Sequence, residues 1–399
     1  MDMAQDESFP PLFFRHRFSL SPHSIFHDLR GRAVALAFHR CLAAFALALI
    51  SAALAGAADP PGKAIYQSAC AACHGLDGRG APKSSVGFDR PLPDLTDCAA
   101  FNKEPDGDWY AVIHQGGPAR SWSSIMPAFG DALTSEQIDQ VIEYVRGFCK
   151  DKAWPRGDLN IPRALFTEKA FPEGEVVTTT SINARNGGSV GTVTIYEKRF
   201  GPVDQLEIKT PVGFKKRDTG TWVGGIGDVG IGWKRVLFHS LNKGSNLSAG
   251  GEMVLPAGDR SKGLGKGTKL FEPFASYGQL LPADSHLQFQ IGGEFPTDTS
   301  KAPRAMFWRT TLGKTIAQDR GFGRAWTPMV EFLADREFET GAKVNWDVVP
   351  QFQVTLSKRQ HIMANFGVKI PANNTAGRPI QIVFYLLWDY LDGGLREGW

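Results

Sequence analysis

The chain has 399 residues, with 44 Lys/Arg against 41 Asp/Glu, a net charge of +3, and 42% apolar residues. That length accommodates two or three domains, and the near-neutral charge excludes a nucleic-acid partner bound through a basic excess. A mean hydropathy of −0.20 excludes both a polytopic helical membrane protein and a disordered chain. Two oddities remain: 44 glycines, which point to many turns and strands, and an odd count of five cysteines.

Taken in chain order, Arg30, Arg32 and Arg40 precede a small-apolar run from Leu42 to Ala58 that ends in Ala55-Gly56-Ala57. A charged region, an apolar stretch and a small-residue cleavage site read as a secretory signal peptide over residues 1–57, with a long n-region. An uncleaved anchor is the alternative. Export places the remaining cysteines in an oxidising compartment.

Residues 58–150 carry the chemistry. Cys70-Ala71-Ala72-Cys73-His74 is Cys-x-x-Cys-His, the attachment signature of a c-type haem. Two thiols on one helical turn can each bond a haem vinyl group, and the adjacent histidine can reach the iron. A redox dithiol needs a flanking βαβ pattern, which is absent, and leaves His74 unexplained. Met126 is the one methionine between Asp59 and Lys150, followed by Pro127, in a stiff loop suited to offering a soft sulfur as second axial ligand. Thr134-Ser135-Glu136-Gln137 then reads as a capping box that opens a helix with Ile138, Val141, Ile142 and Val145 on one face. With those motifs the segment resembles class I c-type cytochromes, which implies a small all-α fold, one haem c and single-electron transfer. His114, at the end of a short helix closed by Gly116, is the competing sixth ligand and reads better as a helix-end histidine. Cys41 leaves with the signal, so Cys98 and Cys149 are expected to form a disulfide across the domain.

After a proline-bearing linker, 151–173, the apolar period changes to two. In Trp346 to Ser357, apolar Trp346, Val348, Pro350, Phe352, Val354 and Leu356 alternate with a polar set broken only by Val349. Similar runs cover 174–399, about twelve in all and about ten residues each. Alternation fits a β-sandwich with the apolar face inward or an outer-membrane barrel with it outward. The even count, the strand length and tryptophans at strand ends (Trp222, Trp233, Trp308, Trp326 and Trp346) favour the barrel, with a polar, wet lumen. The run Gly225 to Lys234 also resembles porin-like outer-membrane proteins of transporter families. Glu331, Asp335 and Glu337 read as lumen or turn carboxylates.

The fold class is therefore multidomain, a cytochrome c domain followed by an antiparallel barrel. The combination resembles fused cytochrome–porin proteins of bacteria that oxidise or reduce extracellular donors, including ferrous iron. Such a resemblance implies an iron-binding haem c carrier at the outer membrane, relaying electrons between periplasmic redox proteins and an extracellular donor or acceptor. A barrel of about twelve strands is too narrow for a whole cytochrome, so the haem domain is expected at its periplasmic mouth. The other readings are a barrel serving only as pore or anchor, and a soluble periplasmic carrier with a partner-binding sandwich. No acid–base pair, nucleophile triad or second metal cluster stands out, so the sequence assigns no enzymatic step beyond redox transfer. Between Ala58 and Lys150 there are eight Lys/Arg against twelve Asp/Glu, an acidic balance that would suit a basic partner or barrel mouth.

Overall fold

The computed structural model describes residues 59–88, 92–183, 188–217 and 219–399; the expected signal peptide and Cys41 lie outside them. Helices come first: α1 Pro61–Ala69, α2 Ala71–His74, α3 Lys83–Val86, α4 Cys98–Phe101, α5 Asp106–Gln115 and α6 Ser135–Arg146. Proline at the first position opens α1, and the Asp97 side chain caps α4. Thr134 and Gln137 close the capping box of α6 reciprocally. The apolar stripes of α1, α5 and α6 meet in one core of Tyr66, Leu95, Tyr110, Ile113, Ile138, Val141, Ile142 and Val145. Where α1 crosses α6, Gly62 is the contact, and a Cβ there would lie 1.9 Å from the Gln140 carbonyl oxygen. Only glycine lets the two backbones approach so closely. Cys98 and Cys149 are joined as a disulfide with their Cα atoms 5.1 Å apart, tying α4 to the end of α6.

Thirteen strands follow: β1 Glu175–Asn183, β2 Ser189–Phe200, β3 Asp204–Lys216, β4 Trp222–Ile226, β5 Val229–Ser240, β6 Ser245–Leu255, β7 Leu270–Leu281, β8 Ser285–Pro296, β9 Ala305–Lys314, β10 Trp326–Glu337, β11 Asn345–Thr355, β12 Ile362–Pro371 and β13 Gln381–Asp389. All pairings are antiparallel neighbours, and β1 pairs with β13, so the sheet closes. Both β4 and β5 pair with β3, one after the other, so they are halves of one stave and the barrel has twelve. No helix among the described residues is long and apolar enough to cross a membrane; the apolar exterior belongs to the strands.

The barrel is inverted relative to a soluble core. Phe214, Ile231, Trp233, Phe271, Ile291, Phe352, Phe366, Phe384 and Leu386 are exposed on the outside, while Glu197, Glu207, Lys234, Ser248, Gln288, Glu331, Gln351, Gln353 and Asn365 are buried inside. That arrangement is the outward-apolar alternation of a barrel in lipid and rules out the sandwich. Trp222 and Trp346 open strands at the rim remote from the helices, and Trp326 opens one at the helical rim, all three exposed.

The segment 151–173 does connect the two parts, but it is not a surface linker. From Leu159 to Glu173 it runs inside the barrel, where Leu159, Arg163, Leu165, Thr167, Lys169 and Phe171 are buried. The Glu331 carboxylate accepts the backbone N–H groups of Leu165 (3.1 Å), Phe166 (3.2 Å) and Thr167 (2.8 Å), the Thr167 hydroxyl and the Gln351 amide. Arg163 bonds Glu175 at 2.6 Å and Glu197 at 2.8 Å, and Lys234 bonds Glu168 at 2.7 Å. Leu165 packs into an apolar wall patch of Val177, Leu333, Val349, Val383, Tyr385 and Leu387. Val349, the residue out of pattern in its strand, thus serves the plug. Glycine on the inner face makes the room: a Cβ on Gly278 would lie 2.8 Å from Ile161 Cδ1, and one on Gly367 2.6 Å from Leu165 Cδ1. The wet lumen expected from polar alternation is in part occupied: the connector meets many of the polar groups, and cavities of about 120 Å³ beside Lys209, Glu252 and Glu272 and about 610 Å³ toward the helical end remain.

Removing the Glu331 carboxylate leaves the Phe166 and Thr167 N–H groups without an acceptor, at about 1–3 kcal/mol each, while the Leu165 N–H keeps Gln351 at 3.0 Å. Glu331→Ala should therefore lower the temperature at which the folded band on unboiled detergent gels converts to the unfolded one, and expose 157–173 to protease; an unchanged conversion temperature would contradict this anchoring.

Candidate cofactor site

Cys70 joins α1 to α2, and Cys73 and His74 lie in α2. The His74 amide donates to the Cys70 carbonyl at 2.9 Å, and the Gly80 and Ala81 amides donate to the His74 and Cys73 carbonyls at 2.8 and 2.7 Å, folding the following loop back. That loop bends at Gly75, Gly78 and Gly80, all at positive φ. The Tyr66 hydroxyl, buried under α1, donates to the Gly75 carbonyl at 2.7 Å and locks the turn to the core.

Met126 lies in the loop that follows α5. Its carbonyl accepts the Gly117 amide at 3.0 Å, and the Phe129 and Gly130 amides donate to the Ile113 and His114 carbonyls, both at 2.9 Å. Two glycines after α5 permit this contact: a Cβ on Gly116 would lie 2.8 Å from the Met126 oxygen, and one on Gly117 2.1 Å from the Ser123 oxygen. Cys70 and Met126 both border the same apolar core. The structure thus brings the attachment turn and the methionine loop onto one core.

His114 packs among aromatic rings, and its Nδ1, like that of His74, is buried without a hydrogen-bond partner. Its ring lies 5.7 Å from Tyr110 and 5.1 Å from Phe322 and rests on Gly130, where a Cβ would meet it at 2.5 Å. Phe322 belongs to the β9–β10 connection of the barrel.

The donor set fits a covalently held haem. Cys70 and Cys73 are unpaired, unlike the other two cysteines among the described residues. His74 Nδ1 is buried without a hydrogen-bond partner, and burial holds the imidazole below its ordinary pKa, in the neutral form that can ligate iron. Burial, reinforced by Cys73, pushes the free Cys70 thiol up to about 11. Leu76 and Ile125, beside these residues in sequence, are exposed apolar side chains, as expected of a crevice rim with an apolar occupant. A haem here would be held by Cys70, Cys73, His74 and Met126.

Sequence reasoning missed the barrel's share of this region. Arg120 bonds Asp108 at 2.8 Å through Nε and the Gly321 carbonyl through Nη2. Gly107 and Gly321 touch backbone to backbone, and Arg320 pairs with Asp139 at 2.9 Å. Lys103 pairs with Asp392, and Arg359 lies on Trp122. The partners that join the helices to the barrel stand some 180 to 290 residues apart, and no local pattern announces them. Their signs are mixed in both directions, so docking does not rest on an acidic domain meeting a basic mouth.

Residues 57–145 match the family model described as cytochrome c oxidase, cbb3-type, subunit III. Chloroplastic cytochrome c6 of Chlamydomonas reinhardtii is 36% identical over 107 residues, 26% of this chain, and the chain spans 64% of that relative's length. Among solved structures, the NanC porin is similar at 9% identity and TM-score 0.38, over 53% of this chain and 97% of that one. An outer membrane channel from Pseudomonas putida F1 is similar at 13% identity and TM-score 0.37, over 57% and 99%. By that match residues 57–145 form a cytochrome c-type domain, and it stands ahead of a closed barrel of twelve staves.

Gly62→Ala would drive a methyl group into the α1–α6 crossing, an overpacking that costs about 1–3 kcal/mol. The urea midpoint of the helical circular-dichroism signal should fall while the barrel's gel mobility stays unchanged; an unaltered midpoint would mean the crossing is looser than its 1.9 Å contact implies.

Proposed function

We propose that this protein is a haem c electron carrier anchored in the outer membrane, exchanging single electrons with periplasmic redox proteins. The observation that carries the reading is the cytochrome domain clamped at the mouth of a barrel with an apolar exterior, through whose lumen its own connector runs. The barrel's longest connection, 256–269, lies at the rim remote from the helices, and the short turns 201–203, 241–244 and 282–284 lie at the helical rim, beside the longer connection 315–325 that meets the helical domain. Short turns face the periplasm in outer-membrane barrels, which supports a periplasmic haem domain.

When bound, haem c supplies a one-electron iron couple. One haem would be held covalently through the Cys70 and Cys73 sulfurs, with the His74 imidazole and the Met126 sulfur as the side chains that would bind its iron. The soft thioether favours the reduced iron and raises the potential. Tyr66, Tyr110, Ile113 and Ile138 exclude water from the inner side, and no proton need move, because each encounter passes one electron in and one electron out. The relay joins periplasmic carriers to a second donor or acceptor that meets the domain at the barrel's helical end. The connector narrows the path through the barrel to the cavities beside it, which favours the barrel as anchor over the barrel as open diffusion pore.

The protein should fractionate with the outer membrane and show heat-modifiable mobility; recovery in the soluble periplasm would overturn the location. A membrane-impermeant reductant should reduce the haem only after the outer membrane is permeabilised, and reduction in intact cells would restore the extracellular relay. His74→Ala should abolish the low-spin haem spectrum. Met126→Ala should lower the potential and remove the methionine–iron charge-transfer absorption; an unchanged spectrum would shift the sixth ligand to His114.

A further inference from the structure

The loop that carries Met126 is held from outside its own domain. Arg359 stands in the turn 356–361 between β11 and β12, with its side chain only 10% exposed. Its guanidinium carbon lies 4.0 Å from the centre of the Trp122 ring. Nη2 donates to the Ser121 carbonyl at 3.0 Å and Nε to the Arg120 carbonyl at 3.4 Å. Nη1 donates to Glu397 at 3.1 Å and to the Asp392 carbonyl at 3.2 Å, so the C-terminal segment braces the guanidinium from behind. The three loop residues it grips are followed inward by hydrogen bonds: the Trp122 amide donates to the Gly117 carbonyl at 2.9 Å, and the Gly117 amide donates to the Met126 carbonyl at 3.0 Å. Ser121 adopts a φ of +52°, a left-handed conformation that a serine holds only under constraint. The second grip is at Arg120, whose guanidinium bridges Asp108 on α5 and the Gly321 carbonyl of the β9–β10 connection.

We propose that Arg359 is a positioning residue for the haem site: with the Gly321 contact to Arg120 beside it, this barrel side chain holds the methionine loop closed and would thereby favour ligation of iron by the Met126 sulfur. This rests on the reading of Met126 as the sixth ligand. The physical reason is loop entropy. Residues 116–127 contain no helix beyond a single short turn, and a free loop of that kind gains conformations when its sulfur leaves iron. A buried cation stacked on an indole, with two hydrogen bonds to adjacent carbonyls, removes those conformations before the ligand binds. The barrel is then part of the redox site as well as its anchor, and undocking the domain would weaken methionine ligation and lower the potential.

The test uses the full-length holoprotein in detergent, following the methionine–iron charge-transfer absorption as pH is raised until the ligand is lost. Arg359→Gln should lower the midpoint of that loss by about one pH unit, a tenfold change in the ligand-exchange equilibrium, and lower the reduction potential. Removing a positive charge alone also lowers the potential, so two further variants separate the causes. Arg359→Lys keeps the charge but loses the planar fork, and Trp122→Leu removes the stacking surface with no change of charge. Both should lower the alkaline midpoint in the same direction, while the heat-modifiable mobility of the barrel stays at the wild-type value. A wild-type midpoint in Arg359→Lys and Trp122→Leu would overturn the positioning role and leave only a through-space charge effect. A wild-type midpoint in Arg359→Gln would overturn the proposal outright. If Met126→Ala itself leaves the absorption unchanged, the ligand assignment has failed, an outcome distinct from either of these.

Discussion

The architecture depends on how a length of ordinary backbone can sit inside a closed barrel. Every stave is already paired on both sides, so there is no free edge for the connector to join. Its N–H and C=O groups must be met by side chains, since leaving them unpaired in the interior would be costly. Glu331, Gln351, Gln290 and Gln205 accept from the connector's amides. Asn246, Gln288, Arg309, Asn365, Tyr385 and Ser248 donate to its carbonyls. The polar inner face is therefore a mould for one peptide segment as well as the complement of a lipid-facing exterior.

Charge is settled in the same way. Arg163, Lys169 and Lys234 meet Glu168, Glu173, Glu175 and Glu197 with little solvent access. A network of that kind adds little stability against an apolar alternative, but losing one member strands a buried charge. Its effect is positional: Arg163 binds β1 and β2 through Glu175 and Glu197, and Lys234 of β5 holds Glu168. The connector can occupy one register only. Inner-face glycines complete the fit, Gly278 beside Ile161 and Gly367 beside Leu165. The glycine excess of the chain thus has a packing role in addition to its turns.

Much of this was legible in the sequence, and the remainder was not, for a physical reason. The Cys-x-x-Cys-His turn, the capping box of α6 and the two-residue apolar alternation are local signals, and each is realised in place. The connector was not legible because proline, arginine, lysine and glutamate in a short segment have the composition of a solvated linker. Only the partners reveal burial, and those partners lie up to 222 residues away. Val349 carried a faint signal, as the single apolar residue on a polar face. Phe322 and Arg359 carried none, since aromatic and basic residues in a strand connection are ordinary, and their contacts with Tyr110 and Trp122 exist only once the barrel has closed.

The path of the chain also explains why a modest set of contacts suffices to dock the cytochrome domain. Between the disulfide at Cys149 and the plug at Leu159 there is almost no slack. Gly157 donates to the Asn102 carbonyl at 2.7 Å, Asn102 donates to the Trp154 carbonyl at 2.7 Å, and Asp158 accepts the Asp106 amide at 2.8 Å. Arg156 reaches Asp106 at 2.5 Å, and Arg146 of α6 reaches the same carboxylate at 2.9 Å. The connector therefore adheres to the helical domain until it enters the barrel, and the two cannot separate as bodies on a flexible tether. Docking becomes an intramolecular event with a short, stiff span, for which the effective concentration is high and the entropy lost on closing is small. Contacts that would be weak between separate proteins, such as one arginine on a tryptophan and one phenylalanine between a tyrosine and a histidine, are then enough to keep the domain seated and to act on the loop that bears Met126.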